Sequence, residues 1–214
     1  MDNERLLFLP GASGNTEFWR PVAQRLSHPG ERGFISYPGF GGVPADPNVR
    51  SFDDLISRVA GQITGPVSLL AQSMGGTLAV PAALVKPELV RSMVLTVTSG
   101  GVDVTALGAQ NWRPIFRRNN PHLPTWFEEH REDLSERIRQ IRAPVLLLWG
   151  DADPISPVAV GERLAKLLPC AELVVLRGGT HDLVLERSEE VVGQIDRFYA
   201  RVRATKSANS QHPE

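Results

Sequence analysis

Cysteine is nearly absent from this chain. Cys170 is the only one in 214 residues, so no disulfide can close within it, as in a protein of a reducing compartment. No helix start or basic neighbour marks Cys170 as a nucleophile. Long hydrophobic runs are missing too: the longest, Leu78–Val85, carries Pro81 and falls far short of the ~20 residues that cross a bilayer. The opening, MDNERLLFLP, lacks the basic start and apolar stretch of a secretory signal. Nor is there an excess of one charge. Lys and Arg number 23 against 24 Asp and Glu, a net charge of -1, which gives no electrostatic footprint for nucleic acid or an anionic membrane. Clusters with metal-ligand spacing, phosphate-binding glycine loops and internal repeats are likewise lacking. These absences lead us to expect a cytoplasmic protein with no nucleic-acid or membrane partner, no metal and no organic cofactor.

What remains is a globular composition, 42% hydrophobic and 22% charged, of a length that suits one domain with a sizeable core. Six short apolar runs recur: Leu6–Leu9, Phe34–Tyr37, Val67–Ala71, Met93–Val97, Val145–Trp149 and Leu173–Leu176. Each is continuous rather than alternating, which fits strands covered on both faces. Helical patterns separate most of them. One runs from a cap at Asn15 or Thr16 to about Ser27, and one from Ser51 to Ile63. A third starts at Ser156–Pro157 and a fourth runs from Ser188 to about Val202. Alternating strands and helices imply crossover connections and a mostly parallel sheet. The expected fold class is α/β: a three-layer sandwich of about six strands with helices on both faces. A single domain should cover residues 1–203, followed by a disordered polar tail over 204–214. Residues 99–142 break the rhythm, too long for a plain connection. Trp112, Phe116, Trp126 and Phe127 stand there among Arg and Glu. A short helical cap or lid, with helices near 109–118 and 124–140, is the expectation; a peripheral helical pair that only packs is the alternative.

One turn stands out. Between the third apolar run and a small-residue helix lies AQSMGG, with Ser73 in the middle. A strand feeding straight into a helix forces the turn residue into a strained conformation, and the positions two before and two after must be small. Those are Ala71 and Gly75. The pattern A-x-S-x-G resembles the nucleophile elbow, usually G-x-S-x-G, of the α/β-hydrolase superfamily, specifically its serine-nucleophile branch. The resemblance extends over about residues 4 to 202. It includes Tyr37-Pro-Gly-Phe-Gly-Gly42, similar to the family's D-x-P-G-x-G turn, and implies a small esterase-like member with a reduced cap and without the antiparallel strand pair of larger relatives.

A serine hydroxyl needs a base to take its proton. Of the five histidines, only His181, in RGGTHD, directly follows a strand on the sheet edge that carries Ser73. That edge is where open α/β sheets bind ligands. The resemblance supplies the other assignments. Asp153, in GDADP, matches the position of the acid, ahead of Asp151 and Asp103. The chain order Ser, Asp, His also agrees. The backbone N–H groups of Met74 and Ala12 correspond to the oxyanion hole. The Pro10–Gly11 pair stands there where relatives usually carry His-Gly. Members with an aspartate nucleophile are disfavoured, because position 73 is serine. The activity implied is a serine hydrolase acting on a small carboxylic ester or thioester through an acyl-enzyme. A lyase using the same three side chains, or a ligand receptor with little turnover, are the alternatives.

Overall fold

Residues 4–210 are described in the computed structural model of the protein. Among them, six strands form one sheet: β1 (Arg5–Leu9), β2 (Arg32–Phe34), β3 (Val67–Gln72), β4 (Val90–Thr96), β5 (Val145–Gly150) and β6 (Ala171–Leu176). Every pairing is parallel and the order is β2-β1-β3-β4-β5-β6. The expected mostly parallel six-stranded sheet is therefore the one observed. All residues of β3 and β5 are buried, as their unbroken apolar sequences require. Leu69, Leu70, Leu146, Leu147 and Leu148 have no exposed surface. Each such side chain contributes roughly 1.5–3 kcal/mol on burial.

The helices follow the strands in chain order: α1 (Arg20–Ala23), α2 (Phe52–Gly61), α3 (Met74–Val85), α4 (Arg113–Asn119), α5 (Trp126–Glu129), α6 (Ser135–Ile138), α7 (Val158–Leu167), α8 (Leu183–Glu186) and α9 (Ser188–Ser210). α1, α8 and α9 pack together, whereas α2, α3, α6 and α7 form a continuous row. The two groups are the outer layers of the sandwich. The start of α2 is fixed by a capping box. Ser51 Oγ accepts from the Asp54 amide, and Asp54 Oδ2 accepts from the Ser51 amide. Such caps hold about 1 kcal/mol each.

Several boundaries differ from the sequence expectation. β2 ends at Phe34 rather than running to Tyr37, because it pairs with β1 over three residues only. The helix expected to reach Ser27 stops at Ala23 after a 3₁₀ turn over Thr16–Trp19. At α7 the N-cap is Pro157, with no side-chain cap bond, and the Ser156 hydroxyl is buried with no hydrogen-bond partner among the described residues. Residues 204–210, expected in a disordered tail, continue α9. The rest of that expected tail, 211–214, lies outside the described residues. Between β4 and β5, the two helices expected near 109–118 and 124–140 are instead three short ones, α4, α5 and α6, in a stretch broken by Pro121 and Pro124.

Candidate active site

β3 delivers Ser73 into a backbone conformation that few residues adopt, φ 53° and ψ -120°. The surroundings hold it there. The Ser73 amide donates to the Thr96 carbonyl at 3.0 Å. Its own carbonyl accepts from the Gly76 amide at 2.9 Å and from the Thr98 hydroxyl at 2.6 Å. Strain that is over-determined in this way is a feature of functional turns. Gly75 makes the geometry possible: a Cβ there would lie 2.5 Å from the Leu9 carbonyl oxygen and 2.7 Å from that of Pro10. Those two carbonyls are in turn fixed by buried donors, Trp19 Nε1 at 3.1 Å and the Tyr37 hydroxyl at 3.0 Å. Burial holds the Tyr37 phenol well above its ordinary pKa, so it remains a donor. The helix start after Ser73 is therefore pressed onto the end of β1.

Two loops on the other side of the sheet meet through glycine. A Cβ at Gly150 would lie 2.0 Å from the Gly179 carbonyl oxygen, and the Ala152 amide donates to that oxygen at 3.0 Å. This close approach joins the segment after β5 to the segment after β6. Asp153 and His181 consequently face each other, with His181 Nδ1 2.8 Å from Asp153 Oδ2. The Asp153 side chain is fully buried, and its Oδ1 accepts from the Ile155 amide at 2.8 Å. A carboxylate only accepts, so Nδ1 carries the proton and Nε2 is left as an acceptor. His181 Nε2 lies 3.0 Å from Ser73 Oγ, within the reach a general base requires.

The structure thus brings together Ser73, Asp153 and His181. Among the described residues, neither of the two other carboxylates considered for the acid bonds to His181. Asp151 accepts from the Gly178 amide in the histidine loop. Asp103 accepts from Thr105, a bond that holds its carboxyl below the usual range. Ala12 and Met74 both line the cavity above Ser73. Neither amide has an acceptor among the described residues. The loop carrying Ala12 runs directly beside the serine, since a Cβ at Gly11 would sit 3.3 Å from Ser73 Cβ.

The cavity has a volume of about 770 Å³, within the range of small-molecule sites. Its walls include Trp112, Phe116, Phe127, His130 and Arg131 from the cap segment. His130 stacks on Phe52 with ring centroids 4.2 Å apart. Sequence reasoning also passed over Gln72, whose Nε2 donates to the His181 carbonyl at 3.2 Å. Its place directly before the serine was the available signal. Val97 (φ 42°) is a second strained residue in the cavity wall, and no sequence pattern announced it. Among the described residues, no group of three or more His, Cys, Asp or Glu is placed to hold a metal ion. No helix there is long and apolar enough to cross a membrane.

The chain is similar to proteins of known type over most of its length. The family described as "Alpha/beta hydrolase family" matches residues 6–131, and the "alpha/beta hydrolase fold" family matches residues 115–188. The pimeloyl-[acyl-carrier protein] methyl ester esterase of Aliivibrio salmonicida is 23% identical, over 90% of this chain and 91% of that protein. Among solved structures, a thermophilic esterase from Thermogutta terrifontis superposes with a TM-score of 0.74 at 20% identity, covering 92% of this chain and 90% of that one. A meta-cleavage product hydrolase from Pseudomonas fluorescens IP01 gives 0.73 at 18% identity, covering 92% and 91%. These structural likenesses concern the fold. With more than half its length matched by one family, the chain belongs to the alpha/beta hydrolase family.

Proposed function

We propose that this protein is a serine hydrolase that cleaves a small carboxylic ester or thioester through an acyl-enzyme. The observation that carries the reading is the continuous contact from Ser73 Oγ to His181 Nε2 at 3.0 Å and from His181 Nδ1 to Asp153 at 2.8 Å. Ser73 attacks the scissile carbonyl while His181 takes the hydroxyl proton. Buried Asp153 keeps His181 in the tautomer that can accept it and stabilises the imidazolium that forms. The amides of Ala12 and Met74 hold the oxyanion; losing one such donor typically costs about 10²–10³ in rate. His181 then returns the proton to the leaving oxygen or sulfur. Water, deprotonated by His181, attacks the acyl carbonyl and releases the acid and Ser73. The chemistry needs only these side chains and amides. The esterase relatives support an ester substrate, and the segment over residues 99–142 acts as a small lid over the cavity. The single cysteine, exposed and unpaired, supports a cytoplasmic setting.

The test is incubation with p-nitrophenyl butyrate and with a fluorophosphonate probe. The parent protein should turn over the ester and take the label at residue 73, and Ser73→Ala should do neither. A parent protein that remains unlabelled and inactive across a panel of esters and thioesters graded by chain length would remove the reading.

A further inference from the structure

Two arginines of the cap segment stand in the same cavity as Ser73 and His181, and the proposed reaction uses neither. Arg113 is held from two sides. Its Nε donates to the Glu128 carbonyl at 2.9 Å, and its guanidinium lies over the Trp112 ring, 4.9 Å from the centroid. Arg131 Nη1 donates to the same Glu128 carbonyl and to that of His130, both at 2.7 Å. Two positive groups therefore converge on one carbonyl oxygen. Among the described residues neither has a carboxylate within ion-pair distance, although Asp103, Glu132, Asp133 and Asp182 line the same cavity. The Glu128 carboxylate pairs with Arg117. Glu132 faces His130 and Arg137. Asp133 accepts from Ser135, and Asp103 from Thr105. Burial lowers the Arg113 pKa and the charge of Arg131 lowers it further, while the Glu128 carboxylate opposes both.

Arg113 is half-buried and Arg131 exposed, and two like charges held close together repel each other unless an anion joins them. The bonds already made orient both guanidiniums and leave N–H groups free on each, in the planar fork that suits a carboxylate. Trp112, Phe116 and Phe127, from the same wall, offer apolar surface to a hydrocarbon chain. We infer that Arg113 and Arg131 form a carboxylate-binding subsite, and that the substrate is an ester whose acyl chain ends in a free carboxylate. This deepens the hydrolase reading and rests on it.

The test is calorimetric titration of Ser73→Ala protein, which removes turnover from the measurement, with monomethyl adipate and with neutral methyl hexanoate. The carboxylate-ended ester should bind about tenfold tighter or better at low salt, and the advantage should shrink at about 0.5 M salt. Adding Arg113→Gln and Arg131→Gln should abolish it, whereas the paired Lys substitutions should retain part of it. Equal binding of the two esters, including no binding of either, overturns the proposal. So does an advantage that survives both Gln substitutions in a protein with parental circular dichroism. The salt comparison needs no arginine variant and stands even if those variants misfold. Fluorophosphonate labelling of the parent protein separates the two readings: a labelled enzyme that hydrolyses neutral esters but shows no carboxylate preference loses only this subsite.

Discussion

At the scale of single residues, the site depends on where one proton resides. Asp153 is hidden from solvent and holds His181 through Nδ1. An amide in its place keeps the size but presents either a donor or a weaker acceptor to that nitrogen. Asp153→Asn should therefore lower kcat by about 10⁴ by favouring the wrong tautomer, and Asp103→Asn, at an exposed carboxylate bonded to Thr105, should lose far less. Steady-state rates on one chromogenic ester check both, and comparable losses would shift the acid's role away from Asp153. Ser73 and His181 were legible in the residues themselves, whereas Asp153 was singled out from Asp151 and Asp103 only by the family resemblance. A serine at a strand-to-helix turn and a histidine after the last strand are local signals, and the sheet edge unites them. Gln72, Arg113 and Arg131 were not legible as a site. Gln72 and Arg113 act through carbonyls distant in the chain, and Arg131 matters only because it meets Arg113 at the Glu128 carbonyl, which no spacing in the chain encodes.

Secondary-structure elements meet here with little clearance, so small additions should be felt at a distance. Gly75→Ala would drive a methyl group into the Leu9 and Pro10 carbonyls, separating α3 from β1 and shifting the Ala12 amide with it. We expect a destabilisation of about 1–3 kcal/mol and loss of most activity, measured by urea unfolding and ester turnover. Unchanged turnover would mean that the loop is not positioned by this contact. A second element carries a pH dependence. In α2, the Arg50 amide foremost, then the Ser51 hydroxyl, hold the Asp54 carboxyl below its ordinary pKa. The folded chain thus binds that proton less readily than the unfolded one. The contribution is complete above the unfolded carboxylate pKa and is lost as pH falls through the folded value. Asp54→Asn should accordingly lower the melting temperature near pH 7, and the gap from the parent should close in acid; a gap that persists at about pH 2 would rule out this linkage. The central strands were readable because their apolar runs are unbroken. β2 was misplaced by a few residues because its apolar content continues beyond the three residues that pair. Residues 109–140 were read as two helices, whereas their short segments are set by tertiary anchors, Phe127, Leu134 and Ile138, rather than by periodicity.

Across the whole molecule, stability should be graded from sheet to cap. β3 and β5 are buried along their full length, whereas α4 contains no buried residue. α4 is nevertheless tied to the following segment, since Arg117 donates to the Leu123 and Pro124 carbonyls and pairs with Glu128 of α5. The two short helices should therefore open as one unit, at a free energy well below that of global unfolding. Hydrogen exchange provides the measurement: amides over 113–119 and 126–129 should exchange together and early, and those of β3 and β5 last. Because the cap segment lines the cavity above Ser73, a bulky phosphonate adduct at that serine should add contacts on the closed side and slow exchange across both helices together. Protection equal to that of the strands in the free protein, or no change on adduct formation, would show the cap to be a fixed wall. Substrate would then have to enter by another path.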